Sequence, residues 1–319
     1  MRKLILAMLA VAVMPAMAQT SSWPTRPVKI MVGAAPGGGT DIIARMLAEK
    51  YQAIFGQPFV IENRPGAGNT IAADVTAHAT DNHTLLLATN SAQAIAPHMM
   101  KLSFDPIADL AAVALVVVVP NVVAVGPAVK ATNIAELVAE LKSRQSGEYA
   151  CGSSGIGSTQ HLACEAFGLA TGTKITHVPY KGSAPVLTDL VGGQIQLDFD
   201  TTSSAMNFIK AGRIRALAVM TPKRSAELPE VPTLAEAGVS GVEMNTWYGL
   251  FATATMPREV LARLHAETMK IIAMPDVRRK LEGMGGEPGA MTAAEFAAMN
   301  KADYERFGRL VRAAGIKSE

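Results

Sequence analysis

Strand-length apolar runs alternate with helix-length amphipathic ones along almost the whole chain, and this alternation restricts the fold to a layered α/β architecture. Val28-Lys29-Ile30-Met31-Val32 has the length and composition of a strand, Gly37 to Gly39 break it, and Ile42, Ile43, Met46 and Leu47 then recur at helical spacing. A second unit follows with a strand at 59–62, the Gly66-Ala67-Gly68 turn and a helix at 69–79, and a third strand covers 84–89. Beyond it the pattern predicts helix 134–143, a strand over 147–151, helix 158–170, strand 174–178, helix 184–192, strand 196–199, helix 206–211 and strand 215–220. Such a series predicts parallel strands joined by right-handed crossovers, with helices on both faces. The apolar run from Val113 to Val125 is broken by Pro120-Asn121, and proline inside a strand marks an edge or the end of pairing. It is read as a crossing between two lobes. Trp247-Tyr248-Gly249-Leu250-Phe251 is the returning strand, and helices over 257–273 and 292–314 then cover the first sheet. The expected division is therefore 19–120 with 248–319 in lobe 1 and 121–247 in lobe 2, joined by two hinge strands. No internal repeat is visible, and Leu228-Pro229-Glu230-Val231-Pro232-Thr233 reads as a surface loop before a short helix.

The first 18 residues carry a different signal. Arg2 and Lys3 precede an apolar run from Leu4 to Val13, followed by Pro15 and Ala16-Met17-Ala18. That order is the signature of a secretory signal peptide over residues 1–18, and the run is far shorter than the roughly 20 residues a membrane span needs. The expectation is a periplasmic protein whose mature chain starts at Gln19, without a lipid anchor because no cysteine follows the cleavage site. Removing Arg2 and Lys3 cancels the formal net charge of +2, and basic residues are scattered among acids. Nucleic acid is excluded as a partner, because counterion release needs clustered cations. Export places Cys151 and Cys164 in an oxidising compartment, and a strand end followed by the second turn of a helix brings two Cα atoms near bonding range. A disulfide and a pair of small buried thiols are both open; a metal site is not, since His161 alone joins them.

In open α/β sheets, ligands lie beyond the carboxyl ends of the strands, where helix N-termini meet. The first strand ends in Pro36-Gly37-Gly38-Gly39-Thr40-Asp41, whose glycines bring amide N–H groups to the mouth of a helix and form an anion nest. There is no G-x-G-x-x-G and no phosphate-loop Lys, so nucleotides and other cofactors are not expected. A matching loop in lobe 2 contains Ser153, Ser154, Gly157, Ser158, Thr159 and His161, where Ser158 or Thr159 caps the next helix. Thr89 and Ser91, then Lys181, Gly182 and Ser183, then Asp200, each follow a predicted strand. The expected ligand site combines these residues with Pro36, Gly37, Gly38, Thr40 and Asp41. Trp247 is added as a hinge residue or a stacking platform, Asp200 as a partner for a ligand amine or hydroxyl or as a residue that orders its own loop, and His161 as a ligand contact or a structural histidine. Asp41 has a second reading as a stabiliser of its helix start. Lys181 has two open readings, a salt bridge to the anion or an outward-pointing side chain, and the main anion recognition is expected from amides and hydroxyls.

Several stretches resemble the Bug-type substrate-binding proteins of tripartite tricarboxylate transporter systems. They are Trp23-Pro24-Thr25-Arg26-Pro27-Val28-Lys29-Ile30, Pro36-Gly37-Gly38-Gly39-Thr40-Asp41, Glu62-Asn63-Arg64-Pro65-Gly66-Ala67-Gly68 and His177-Val178-Pro179-Tyr180-Lys181-Gly182-Ser183-Ala184-Pro185. Leu228 to Gly238 and Trp247-Tyr248-Gly249-Leu250 extend the similarity over nearly all of the mature chain. The resemblance implies a two-lobe periplasmic-binding-protein (Venus-flytrap, type II-like) fold and delivery of a small organic carboxylate to a membrane permease. It also implies capture of carboxyl oxygens through backbone amides and water. Two positions depart from the pattern. Gly33-Ala34-Ala35-Pro36 replaces a segment with an aromatic residue, which widens the expected pocket, and Gln93 stands where the family often has histidine.

A hydrolase needs a nucleophile, a base and an orienting group. Gly152-Ser153-Ser154-Gly155 misses the nucleophile-elbow pattern, and His78, His161 and His177 have no catalytic spacing. The expectation is a monomeric binding protein, not an enzyme, with a ligand-responsive partner of a sensor protein as the alternative role.

Overall fold

The computed structural model describes residues 23–143 and 148–315. The signal-peptide reading of residues 1–18 lies outside the described residues. In chain order the elements are β1 (Val28–Val32), α1 (Gly39–Phe55), β2 (Phe59–Asn63), α2 (Thr70–Ala77), β3 (Thr84–Thr89), β4 (Leu110–Pro120), β5 (Val122–Val125), α3 (Ile134–Ser143), β6 (Ala150–Ser153) and α4 (Thr159–Thr171). There follow β7 (Thr176–Pro179), α5 (Ser183–Val191), β8 (Leu197–Asp198), α6 (Thr202–Lys210), β9 (Arg215–Val219), β10 (Asn245–Thr253), α7 (Arg258–Ala273), α8 (Pro275–Gly283), β11 (Glu287–Pro288) and α9 (Ala293–Ala314). The architecture is α/β with two lobes, each built on its own sheet.

The first sheet has the order β11-β4-β10-β3-β1-β2 and the second β7-β6-β8-β5-β9. β1 pairs in parallel with β2 and β3, as the crossover pattern predicts. β10 instead runs antiparallel to both β3 and β4, and β5 antiparallel to β8 and β9. The purely parallel expectation fails at these strands because they sit where the chain passes between sheets and enter the second sheet from the opposite direction. Covered on both faces, β1 is apolar at nearly every position: Ile30 packs with Leu47, Tyr51 and Leu264 on one side, and Met31 with Ala73, Leu86 and Phe251 on the other. Each such fully buried large side chain contributes about 1.5–3 kcal/mol.

The passage between sheets is narrow. Pro120 ends β4 and Asn121 holds the crossing, its amide nitrogen Nδ2 donating to Phe199 O at 2.9 Å and its Oδ1 accepting from Thr246 Oγ1 at 2.9 Å. The return strand passes alongside it, with Asn121 N donating to Met244 O at 3.4 Å. One feature was not legible from periodicity: Ser91–Ile95 form a π-helical turn after β3, and Ala94 and Ile95 pack with Phe307 and Val311 of α9 into the cluster that holds the second sheet's Phe167 and Phe199. Helix α9 thus braces both lobes, since its Phe296 packs under the first sheet against Trp247 at 5.4 Å between ring centroids.

Candidate functional site

Four helices point their N-termini at one crevice between the sheets. Its lining includes Gly38, Gly39 and Thr40 at the start of α1, Thr159 and Gln160 of α4, Ser183 of α5, and Thr201 and Ser204 at the start of α6. The hinge side adds Thr246 and Tyr248, and the first lobe adds Ala34, Asn69, Thr89 and Ser91, with Ser154 from the second. Ten of the fifteen lining residues carry hydroxyls and none is Lys or Arg. Each helix N-terminus presents roughly half a positive charge, so four supply about two without a cationic side chain. The lobes close to a cavity of about 20 Å³, enough for about one water.

The donors face across the crevice. Gly39 N of α1 donates to Ser204 Oγ at 2.9 Å, and Thr159 N of α4 donates to Ser91 Oγ at 3.1 Å. In both cases a backbone N–H at a helix start meets an oxygen from the opposite lobe, the same type of acceptor that a carboxylate brings. Ala35 N donates to Lys181 O at 2.9 Å, and Tyr248 Oη lies 2.7 Å from Ser203 Oγ. Burial pushes the Tyr248 hydroxyl up to about 12, so it stays protonated as a donor at the crevice floor.

Glycines make the approach possible. A Cβ at Gly157, whose φ is +81°, would come 2.9 Å from Ala96 Cα across the interface. One at Gly182 would come 2.8 Å from Ala35 N. The loops around Gly38 and Gly157 therefore open onto one shared crevice. Ala34 does not leave a gap there: it packs against Gly182, with its Cβ 3.3 Å from the position a Gly182 side chain would take.

Of the expected site residues, Gly38, Thr40, Thr89, Ser91, Ser154, Thr159 and Ser183 line the crevice. Pro36 and Gly37 are exposed at its rim. Gly157 and Gly182 form the lobe contact, and Ser158 caps α4 by accepting from His161 N at 3.2 Å. Ser153 turns inward and meets His177 Nε2 at 2.6 Å.

At five positions the ligand-contact or bonded reading does not hold, and for Asp41, His161, Asp200 and the two cysteines the alternative structural reading does. Trp247 neither touches the crevice nor acts at its hinge: strand residues alternate in facing, so Thr246 and Tyr248 point to the crevice and Trp247 to the other side, where Nε1 donates to Asp303 Oδ2 at 2.8 Å. Asp41 is a brace. Its Oδ2 accepts from Gly37 N at 3.0 Å and Arg45 Nε at 2.9 Å, and its Oδ1 from Asn63 Nδ2 at 3.0 Å. Burial works against its ionisation, but the bonds from Arg45, Gly37 and Asn63 outweigh it and hold the carboxyl below its usual range. His161 stacks on His177 at 3.9 Å between centroids and accepts from Gly157 N at 3.3 Å, so it supports the loop from behind. Burial pushes both imidazoles down to about 4, helped at His177 by His161, and keeps them neutral. Asp200 stands behind the lining rather than in it: its Oδ1 accepts from Gln160 Nε2 at 2.9 Å, Ser183 Oγ at 2.8 Å and Thr201 N at 2.7 Å. Cys151 and Cys164 are free buried thiols.

Lys181 has an exposed side chain, as its outward reading requires, and only its carbonyl reaches lobe 1. Gln160, Thr201, Ser204, Thr246 and Tyr248 were not among the expected site residues. The period-two facing of β10 and the position of Gln160 one turn into α4 were the signals that point to Tyr248, Thr246 and Gln160. A larger groove of about 910 Å³ lies behind the hinge between Thr221–Glu227 and Arg278–Pro288. Its Arg224 already pairs with Glu236 and its Arg278 with Glu282, both at 2.8 Å, and no helix N-terminus converges on it.

No helix among the described residues is long and apolar enough to cross a membrane. Residues 43–316 match the family described as Tripartite tricarboxylate transporter family receptor. Protein BugT of Bordetella pertussis is 33% identical over 97% of this chain and 95% of its own length. The solved structure of Rpa4515 from R. palustris with adipate is 35% identical, covers 93% of this chain and 100% of its own, and superposes with a TM-score of 0.89. MatC (Rpa3494) from Rhodopseudomonas palustris with bound malate is 29% identical over 91% of this chain and 100% of its own, with a TM-score of 0.87. An α/β two-lobe body, an uncharged crevice ringed by helix N-termini and a match to receptors over most of the length converge on a binding protein, not an enzyme, and the chain belongs to the tripartite tricarboxylate transporter receptor family.

Proposed function

We propose that this protein is a periplasmic solute-binding receptor that closes its lobes on a small organic dicarboxylate and delivers it to a tripartite tricarboxylate-type permease. The observation that carries the reading is the convergence of four helix N-termini, from α1, α4, α5 and α6, on a crevice without Lys or Arg. Backbone dipoles of both lobes then supply roughly the charge that two carboxylates require, and they do so only when the lobes meet. Residues 23–120 with 245–315 move as one lobe and 121–244 as the other, turning at Pro120-Asn121 and Met244-Asn245, so the return to the first lobe comes three residues before the boundary expected at 247/248. Residues 1–18 direct export and are removed, which delivers the mature chain to the periplasm.

The relatives solved with adipate and malate support a dicarboxylate class. The test is a thermal-shift screen of the mature chain against dicarboxylates, tricarboxylates, aromatic acids and amino acids, followed by calorimetry. A ligand at 100 times its Kd raises apparent stability by about 2.7 kcal/mol. Stabilisation by at least one small di- or tricarboxylate is the expected result; stabilisation only by uncharged or cationic solutes refutes the reading.

A further inference from the structure

The inference rests on the carboxylate reading above and concerns three side chains of the crevice lining that have no hydrogen left to offer. Gln160 Nε2 donates to Asp200 Oδ1 at 2.9 Å and to Ser183 Oγ at 2.9 Å. Ser183 Oγ donates to the same Asp200 oxygen at 2.8 Å, and Ser154 Oγ donates to Gln160 Oε1 at 2.7 Å. A primary amide has two N–H hydrogens and a hydroxyl has one. Every side-chain hydrogen of Gln160, Ser183 and Ser154 is therefore committed within this network. All three residues line the crevice, and what their side chains still present is oxygen lone pairs. Asp200 is the cause: fully buried behind them, it draws their hydrogens away from the ligand.

A carboxylate oxygen placed against these lone pairs is repelled, whereas an O–H or N–H group is received. The backbone N–H groups of the helix starts keep the opposite character, so the crevice offers donors for carboxylate oxygens and, at these three side chains, acceptors for an O–H or N–H group. We propose that the ligand carries a hydrogen-bond donor on its carbon chain, a hydroxyl or an ammonium, and that Ser154, Gln160 and Ser183 receive it. An unsubstituted diacid leaves these oxygens facing methylene in a site that excludes water, which costs about tenfold or more in affinity.

The experiment is calorimetric titration of the mature protein with two matched sets: succinate, malate and aspartate, then glutarate, 2-hydroxyglutarate and glutamate. The hydroxyl and amino arms separate the two forms of donor. The expected result is that at least one substituted acid binds about tenfold or more tightly than its parent. Ser183→Ala removes one acceptor and releases a Gln160 N–H toward the crevice, so it should bring the ratio of substituted to parent affinity within about threefold. Ser154→Ala gives the same reading if thermal unfolding shows the first variant to be destabilised. Parents that bind as tightly as both substituted acids overturn the inference, as does a tenfold ratio that survives both substitutions. If none of the six acids and no other carboxylate binds, the receptor reading itself falls, an outcome distinct from binding without preference.

Discussion

Closure can be tested by adding one methyl group. Gly39 is the first residue of α1, and its backbone lies outside the left-handed region, so alanine introduces no backbone strain there. The same Cβ would lie 2.3 Å from Ser203 Oγ and 2.7 Å from Tyr248 Oη, with Ser203 Cβ at 3.0 Å. Ser203 belongs to α6 of the facing lobe, so part of the overlap exists only when the lobes meet. Forcing a methyl into a packed contact costs about 1–3 kcal/mol, and at 1.4 kcal/mol per decade this weakens ligand binding about fivefold to 150-fold. Open protein carries less of that penalty and gains a better helix former, by up to about 1 kcal/mol. Calorimetry and thermal unfolding of Gly39→Ala should therefore show weaker binding with an unliganded Tm near that of wild type. Binding within about twofold of wild type, in a variant that still unfolds cooperatively, refutes the idea that this contact belongs to the ligand-closed form.

Lys181→Ala is expected to weaken binding less than Gly157→Leu, because the lysine offers only its carbonyl whereas Gly157 abuts Ala96; calorimetry showing a loss about tenfold larger at Lys181 contradicts the ranking. Asp198 is fully buried with no side-chain partner for its carboxyl, and burial, then Asp200, raises it well above the usual range against a smaller lowering by the Phe199 backbone N–H. A raised folded value means that stability is full below the unfolded value, about pH 3.9, and falls as pH rises toward the folded one. Asp198→Asn should therefore gain in Tm relative to wild type between pH 4 and pH 8, and a difference that does not change with pH would falsify this. His161 and His177, held down to about 4, have the opposite sign: their stability is present above the unfolded value near 6.5 and is lost as pH falls toward about 4. The Tm of His177→Gln should fall less than that of wild type across that window, and parallel curves count against the stacked pair as the cause.

The strand-helix series was legible because each element buries one face against a neighbour of known period, and β1, β2, β3 and α3 appear within a residue or two of their expected places. α8 escaped notice. Only Val277 and Leu281 of it are buried, too short an apolar pattern to stand out. The π-helical turn at Ser91–Ile95 also gave no signal, since it exists through its packing with α9. Glycine-rich loops at strand ends pointed to the crevice, and Gly38, Thr40, Ser91, Thr159 and Ser183 do line it.

By itself, the sequence determined the layered α/β body, the passage at Pro120 and a crevice lined by amides and hydroxyls, because periodicity and loop chemistry are local properties. Tertiary structure decided which side each residue faces. Trp247 and Tyr248 are adjacent in the chain, yet one packs against α9 and the other floors the crevice. It also decided which polar groups give hydrogens and which receive them, since Asp200 sets Gln160 and Ser183 only once three separate loops have met. Hydrogen-bond direction depends on partners brought from 17 and 40 residues away, and no local pattern encodes that.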